Sequence, residues 1–216
     1  MSRSVAEVAE LMSVSPRRVL QWIGSGSMRA VKIGGVYVVE DSELGRRRMR
    51  CRPLSVDMAW GLVDVLSGGE PDGFGATERW RLRQYAARLG GDPDPAGLLA
   101  SWLRGRAERV ILEARPGVAG SLRGDPRLAV SGVSDSRGGL SASHQAEGYV
   151  RPVDFDGLVR DYLLLRSDKG NVVLHVTERI VVAPVPVGLV MADLADYGLP
   201  REDAVVERML KEGDWL

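Results

Sequence analysis

The chain has a single cysteine, Cys51, among 216 residues. That excludes an internal disulfide and a cysteine-rich zinc site, and a lone thiol suits a reducing compartment. Long apolar runs are missing too: nothing approaches the roughly 18 residues of a membrane span, and the first residues carry no apolar signal-peptide core. The expectation is a cytoplasmic protein that does not enter a membrane. Net charge is absent, because 29 basic and 29 acidic side chains cancel, so the whole molecule is no polycation. Lysine is scarce. Only Lys32, Lys169 and Lys211 stand among the 29 basic residues, a bias of the kind a GC-rich genome imposes. Neither G-x-x-x-x-G-K-[ST] nor G-x-S-x-G occurs, which argues against a phosphate-binding loop and a hydrolase nucleophile elbow.

What charge there is lies unevenly. Residues 1–52 hold ten Arg/Lys against five acids, and the remaining 164 hold 19 against 24. A basic head on an acidic body suits a DNA-binding domain joined to a module of another kind. The head has a legible pattern. Ser4 is placed to cap a short helix bearing Val5, Val8, Ala9 and Leu11. Ser13-Val14 reads as a turn, and Ser15 caps a second helix with Pro16 at its first position. Val19, Leu20 and Ile23 are expected inside, leaving Arg17, Arg18 and Gln21 outside. Gly24-Ser25-Gly26 ends this helix. Two β-rich runs, 30–33 and 36–39, flank Gly34-Gly35, a tight-hairpin signal.

The run V-A-E-V-A-E-L-M-x-V-S at 5–15, x-x-V-x-x-W-I at 17–23, S-G-S-M at 25–28, V-K-I-G-G at 31–35 and D-S-E-L at 41–44 resembles the excisionase-like, MerR-related winged helix-turn-helix. The resemblance covers about a fifth of the chain. It implies a second helix in the major groove and a wing along the backbone or minor groove. Ser15, Arg17, Arg18 and Gln21 would then read or position DNA, and Lys32, Gly34 and Gly35 would form the wing. The sequence departs from the family after Gly-Gly, where a basic residue is often found and Val36-Tyr37-Val38-Val39 stands here. Beyond it, Arg46, Arg47, Arg48, Arg50 and Arg52 form a basic linker. They are either a solvated connector or a phosphate-contacting extension of the same field.

Residues 54–107 read as three helices, with Trp60, Trp80 and Trp102 one per helix around a common core. Arg79, Arg81, Arg83 and Arg88 read as a solvated face. From 108 the pattern becomes mixed, with strand-like runs at 110–112, 128–130, 172–176 and 180–187. Pro184 and Pro186 restrict the last run to an edge. A helix is expected over 155–165, and two more over 189–197 and 201–211. The Gly/Ser-rich stretch 125–150 reads as a hairpin or an ordered loop. The expected class is α+β: a winged helix-turn-helix over 1–52, a helical segment over 53–107, and a mixed α/β body over 108–216.

In that body, Asp125-Pro126-Arg127, Ser131-Gly132-Val133-Ser134, Gly139-Leu140-Ser141-Ala142, Glu147-Gly148-Tyr149-Val150, residues 171–176, Asp193-Leu194-Ala195 and Pro200-Arg201-Glu202 resemble the antitoxin partners of nucleotidyltransferase-type, abortive-infection toxins. The resemblance implies a repressor of its own operon that neutralises the toxin encoded beside it. Its partners would be double-stranded DNA and the cognate toxin, with a homodimer as a further option. No cofactor and no metal are expected.

Candidate chemistry is thin. His175 lies in an apolar strand and reads as a core histidine. His144 sits near Ser141, Ser143 and Glu147, which sketches a Ser/His/Glu hydrolase without its elbow. Asp154, Asp156 and Asp161 form an acidic cluster with Glu147 not far upstream. A metal would need these ligands to meet at one point, and Asp154-Phe155-Asp156 reads instead as a helix start, where acids complement the dipole. The leading reading is therefore a non-enzymatic DNA-binding regulator, an antitoxin. An excisionase-like architectural factor is the alternative, and a DNA-targeted hydrolase the third.

Overall fold

The computed structural model describes residues 2–12, 14–24, 28, 30–40, 51–140 and 142–213. The chain divides into two compact units, Met1–Arg47 and Arg48–Leu216. Among the described residues there are nine α-helices and eight strands, an α+β protein. None of these helices is long and apolar enough to cross a membrane.

In the first unit, strand β1 (Ser2–Ser4) leads into helix α1 (Val5–Leu11). Ser4 forms a reciprocal capping box with Glu7: the Glu7 N–H donates to the Ser4 hydroxyl, and the Ser4 N–H to the Glu7 carboxylate at 2.7 Å. Two otherwise orphaned donors are satisfied this way. Helix α2 (Pro16–Gly24) follows, with the Arg18 N–H donating to the Ser15 hydroxyl. Strands β2 (Val31–Ile33) and β3 (Val36–Glu40) are antiparallel, and β1 pairs with the far side of β3, giving the order β1-β3-β2. Gly34 and Gly35 have φ of 57° and 87°. Both turn residues thus adopt the left-handed conformation that a two-residue hairpin demands. The core is small: Val8, Ala9, Val19, Met28 and Val39 are buried, and Val5, Met12, Val14, Trp22, Ile23 and Ala30 pack against them. Leu11 and Leu20, expected inside, are 59% and 45% exposed. Short helices bury a narrow stripe, and these two fall at its margins.

The second unit is built on a five-stranded mixed sheet, β4 (Glu108–Glu113), β5 (Ala129–Val130), β6 (Ala146–Val150), β7 (Leu165–Arg166) and β8 (Val172–Val176), in the order β5-β6-β8-β4-β7. Only β6 and β8 run parallel, and helix α7 (Pro152–Asp161) lies in the connection between them. One face carries Val110, Leu112, Ala146, Val150, Val172 and Leu174, packed with Leu122 and Leu158 of α6 (Val118–Arg123) and α7. The other face meets a helical layer of α3 (Val56–Leu66), α4 (Ala76–Gly91), α5 (Pro95–Leu103), α8 (Val187–Ala195) and α9 (Pro200–Glu212), whose cluster includes Ala129, Val133 and Tyr149.

The segments 53–107 and 108–216, separate in the sequence reading, thus share one apolar core. One close approach uses a missing side chain: a Cβ on Gly188 of α8 would lie 2.7 Å from the Val63 carbonyl oxygen of α3. Trp60 and Trp102 are buried as expected, whereas Trp80 is 61% exposed; α4 turns Leu82, Ala86 and Leu89 inward, and Trp80 lies off that stripe. The run 180–187 forms no strand. Its prolines remove ladder donors, and Ile180 and Val182 are exposed. The Gly/Ser-rich stretch, in contrast, contains β6, a fully buried inner strand of the sheet.

Candidate nucleic-acid interface and a buried charge network

On α2, Val19 is turned into the core, and Arg17, Arg18 and Gln21 are exposed. Proline at the helix start and a hydroxyl cap fix where the helix begins, and the 3.6-residue period then places the three polar side chains outside. The Arg18 guanidinium donates to Gln21 Oε1 at 2.9 Å and lies 5.5 Å from the centre of the Trp22 ring. The pair is held in register on the exposed side of the helix. Ser15 is exposed at the start of the same helix.

The hairpin has two different faces. Lys32 and Tyr37 are cross-strand partners, with the ammonium 5.5 Å from the ring centre. The opposite face carries the pairs Val31–Val38 and Ile33–Val36, and Val31, Ile33 and Val36 are each more than half exposed. Lys32 is therefore the one cation the hairpin offers, beside Gly34 and Gly35 at its tip. Arg46, Arg47, Arg48 and Arg50 lie outside the described residues.

Among the described residues, the second unit holds a buried cluster of polar chemistry that the sequence reading missed. Arg106, Glu147, His175 and Asp193 are all at least 97% buried, and they come from the α5–β4 connection, β6, β8 and α8. The Arg106 guanidinium donates to Asp193 Oδ1 at 2.5 Å, to Asp196 Oδ2 at 2.7 Å, and to the Tyr149 hydroxyl at 2.9 Å. Tyr149 in turn donates to Asp193 Oδ1 at 2.8 Å, and the Ser131 hydroxyl to Asp193 Oδ2. His175 Nε2 lies 2.9 Å from Glu147 Oε1 and 3.4 Å from Asp193 Oδ1. Glu147 Oε2 accepts from the Val133 N–H and from the Tyr197 hydroxyl at 3.1 Å. The Tyr149 and His175 rings stack with centres 4.9 Å apart. Gly132 permits the approach of its turn: its φ is 55°, and a Cβ there would overlap the Glu147 carboxylate.

The environment favours the charged arginine and aspartate and the neutral tyrosines. Burial disfavours the Arg106 cation, but Asp196, Tyr149 and Asp193 outweigh it and hold the proton more firmly than usual. Burial likewise favours a neutral Asp193. The His175 ring, Arg106 and the Ser131 hydrogen bond reverse that and hold the carboxyl below its ordinary 3.8. Tyr149 and Tyr197 are pushed up by burial, so both remain neutral donors.

Glu147, His175 and Asp193 bring three potential metal-ligand atoms within 4.8 Å of one another. The donor set does not suit an ion. Asp193 Oδ1 already accepts from both Arg106 and Tyr149, so a cation bound there would face the guanidinium across a single oxygen. The arrangement is an ion-pair network whose lone pairs are already engaged. Nor does it resemble an exposed reaction centre, since Arg106, Glu147, His175 and Asp193 are almost fully out of solvent. His144 is exposed and apart from this network, and the buried glutamate pairs with His175 instead. Asp154 sits in the first turn of α7 as expected, and Asp161 pairs with Arg127 at 2.9 Å. Compared with known proteins, the chain matches no family model, no curated protein and no solved structure.

Proposed function

We propose that this protein is a DNA-binding transcriptional regulator, the antitoxin of a toxin–antitoxin pair, which represses its own operon in the cytoplasm and neutralises a nucleotidyltransferase-like toxin. The observation that carries the DNA-binding part is the exposed Arg17, Arg18 and Gln21 face of α2, on a helix that follows α1 after a short turn and precedes a glycine-tipped hairpin. In this reading the two helices and the hairpin act as a winged helix-turn-helix, with α2 in the major groove. Arginine suits guanine edges and glutamine suits adenine, each through two hydrogen bonds. Ser15 and Lys32 position the backbone, with Gly34 and Gly35 shaping the wing, and the arginines at 46–48 add sequence-independent attraction. The second unit serves as a partner-binding body and not as a catalyst.

The test is binding of the purified chain to DNA from upstream of its own gene. Replacing Arg17, Arg18 and Gln21 together with Ala should abolish specific binding while leaving the fold intact. Retained specific binding in that triple variant overturns the recognition-helix assignment. For the antitoxin part, the chain should co-purify with the product of the adjacent gene and relieve its toxicity. An architectural, excisionase-like factor would instead bend the duplex and show no such partner.

A further inference from the structure

We infer that the second unit carries a preformed acceptor pocket for a glutamate side chain of its partner protein, on the part of the sheet where Arg109, Glu113 and Leu165 stand exposed. The inference rests on the reading of this unit as a partner-binding body. On β4, Val110 and Leu112 face the α6–α7 side and are buried, whereas Arg109 and Glu113, on the opposite face, are exposed and Ile111 is partly so. Leu165 pairs with Glu113 across the ladder, shares that face, and is 70% exposed. Where β4 meets β8 and the 167–171 turn, a pocket of about 160 Å³ opens between Arg109, Ile111, Val173, Lys169, Asn171 and Tyr197.

Its walls are fixed. Tyr197 is tied through its hydroxyl to the buried Glu147, at 3.1 Å. Asn171 accepts from the Ala114 N–H at 2.8 Å and donates to the Ala114 and His144 carbonyls. Gly170 lies so close to the β4 backbone that a Cβ would overlap the Leu112 carbonyl oxygen. The two cations, in contrast, are uncommitted. Arg109 rests over the Tyr197 ring, 5.6 Å from its centre, and neither Arg109 nor Lys169 forms a salt bridge among the described residues. Asp168 also lines the rim and has a partner of its own.

Rigid walls with free cations favour binding, because little ordering is needed when a ligand arrives. Size selects the ligand class. Sites for cofactors and drug-sized molecules occupy about 300–1,000 Å³, so this one admits a single side chain. The apolar floor of Ile111 and Val173 suits an aliphatic stem, and the two cations suit a carboxylate at its end, with arginine able to clamp both oxygens. Leu165 extends the same face for an apolar neighbour on the incoming segment. Beyond residue 52 the chain is acidic overall, so this pocket is a local reversal of sign.

The experiment is an NMR titration of the 15N-labelled full chain with the blocked tetrapeptide acetyl-Val-Glu-Val-Gln-amide, its Glu→Gln twin, and inorganic phosphate. The acidic peptide should shift the Ile111, Gly170, Asn171 and Val173 amides saturably, at least fivefold more tightly than either control. The double variant Arg109→Gln, Lys169→Gln should lose that response with the rest of the spectrum unchanged. Equal binding of the two peptides, or tighter binding of phosphate, overturns the proposal. Co-purification with the adjacent gene product separates the two readings. A partner held equally well by wild type and double variant overturns the pocket and leaves the body's role standing. The absence of any partner removes that role itself.

Discussion

Removing the guanidinium of Arg106 would leave Asp193 and Asp196 facing each other without the cation they share. Breaking a buried pair from one side costs about 3–5 kcal/mol, so Arg106→Met should lower the stability of the second unit by that order in chemical denaturation. A fall under about 1 kcal/mol would show that the network contributes little. Its pH dependence has a definite sign. Asp193 has a carboxyl depressed below 3.8, so it contributes stability that is present above 3.8 and lost as pH falls through the folded value. Asp125, lowered to about 2 by Arg127, adds a second contribution lost between 3.8 and about 2. Stability should therefore decline steeply in acid, and Asp125→Asn should flatten the profile between those values. A profile unchanged by that substitution would show that Asp125 and Arg127 are not coupled in solution. Gly132 belongs to this scale as well. Any side chain there meets both a positive φ and the Glu147 carboxylate, so Gly132→Ala should destabilise by more than the ~1 kcal/mol typical of strain alone. A neutral result in thermal melting would contradict the close approach.

At the scale of elements, α2 has a packed side and an exposed polar side. Val19 faces the core, and Arg17, Arg18 and Gln21 face out. Arg18→Ala should weaken specific DNA binding by about 1–3 kcal/mol, the discrimination expected of one base-edge contact, with almost no change in melting temperature. A large loss of stability from this substitution would instead mark the side chain as structural. The capping box of α1 is the opposite case. Ser4→Ala removes the acceptor of the Glu7 N–H and should cost the first unit about 1 kcal/mol. In so small a core, a loss of that size should be visible as a lower melting temperature.

Across the whole molecule, the helices α3–α5 and the sheet behave as one body because they bury a common cluster. Residues 108–216 expressed alone would expose the apolar side of α8 and the faces of Ala129 and Val133 that the helices cover. That fragment should show no cooperative melting transition, whereas residues 48–216 should show one. A cooperative transition in the shorter fragment would establish the body as an independent domain. The basic segment Arg46–Arg50 is tested on the intact protein too. Each phosphate contact contributes about 0.9 to the slope of log affinity against log salt, so replacing Arg46, Arg47, Arg48 and Arg50 with Gln should flatten that slope on any duplex. An unchanged slope would leave the run as a connector.

Local signals determined a good part of this protein. The cap at Ser4, proline at the start of α2 and the Gly34-Gly35 turn are chemistry among neighbours, and the sequence states them directly. The apolar runs of α3, α5 and β8 are equally legible, and each of these elements is buried almost throughout. Exposed Arg17, Arg18 and Gln21 followed from the same period. What neighbours do not encode was decided by tertiary contact. β6 lies in a stretch rich in glycine and serine, and it is a strand because β8 and β5 supply its hydrogen bonds and two layers bury it. Trp80 is exposed because α4 packs through Leu82, Ala86 and Leu89, and Trp80 lies off that stripe. Arg106, Glu147, His175 and Asp193 are separated by up to 87 positions, and each alone reads as a surface charge or a core histidine. Only the stacking of α8 on the sheet brings them together, and only there does the exclusion of water turn four ordinary side chains into one network.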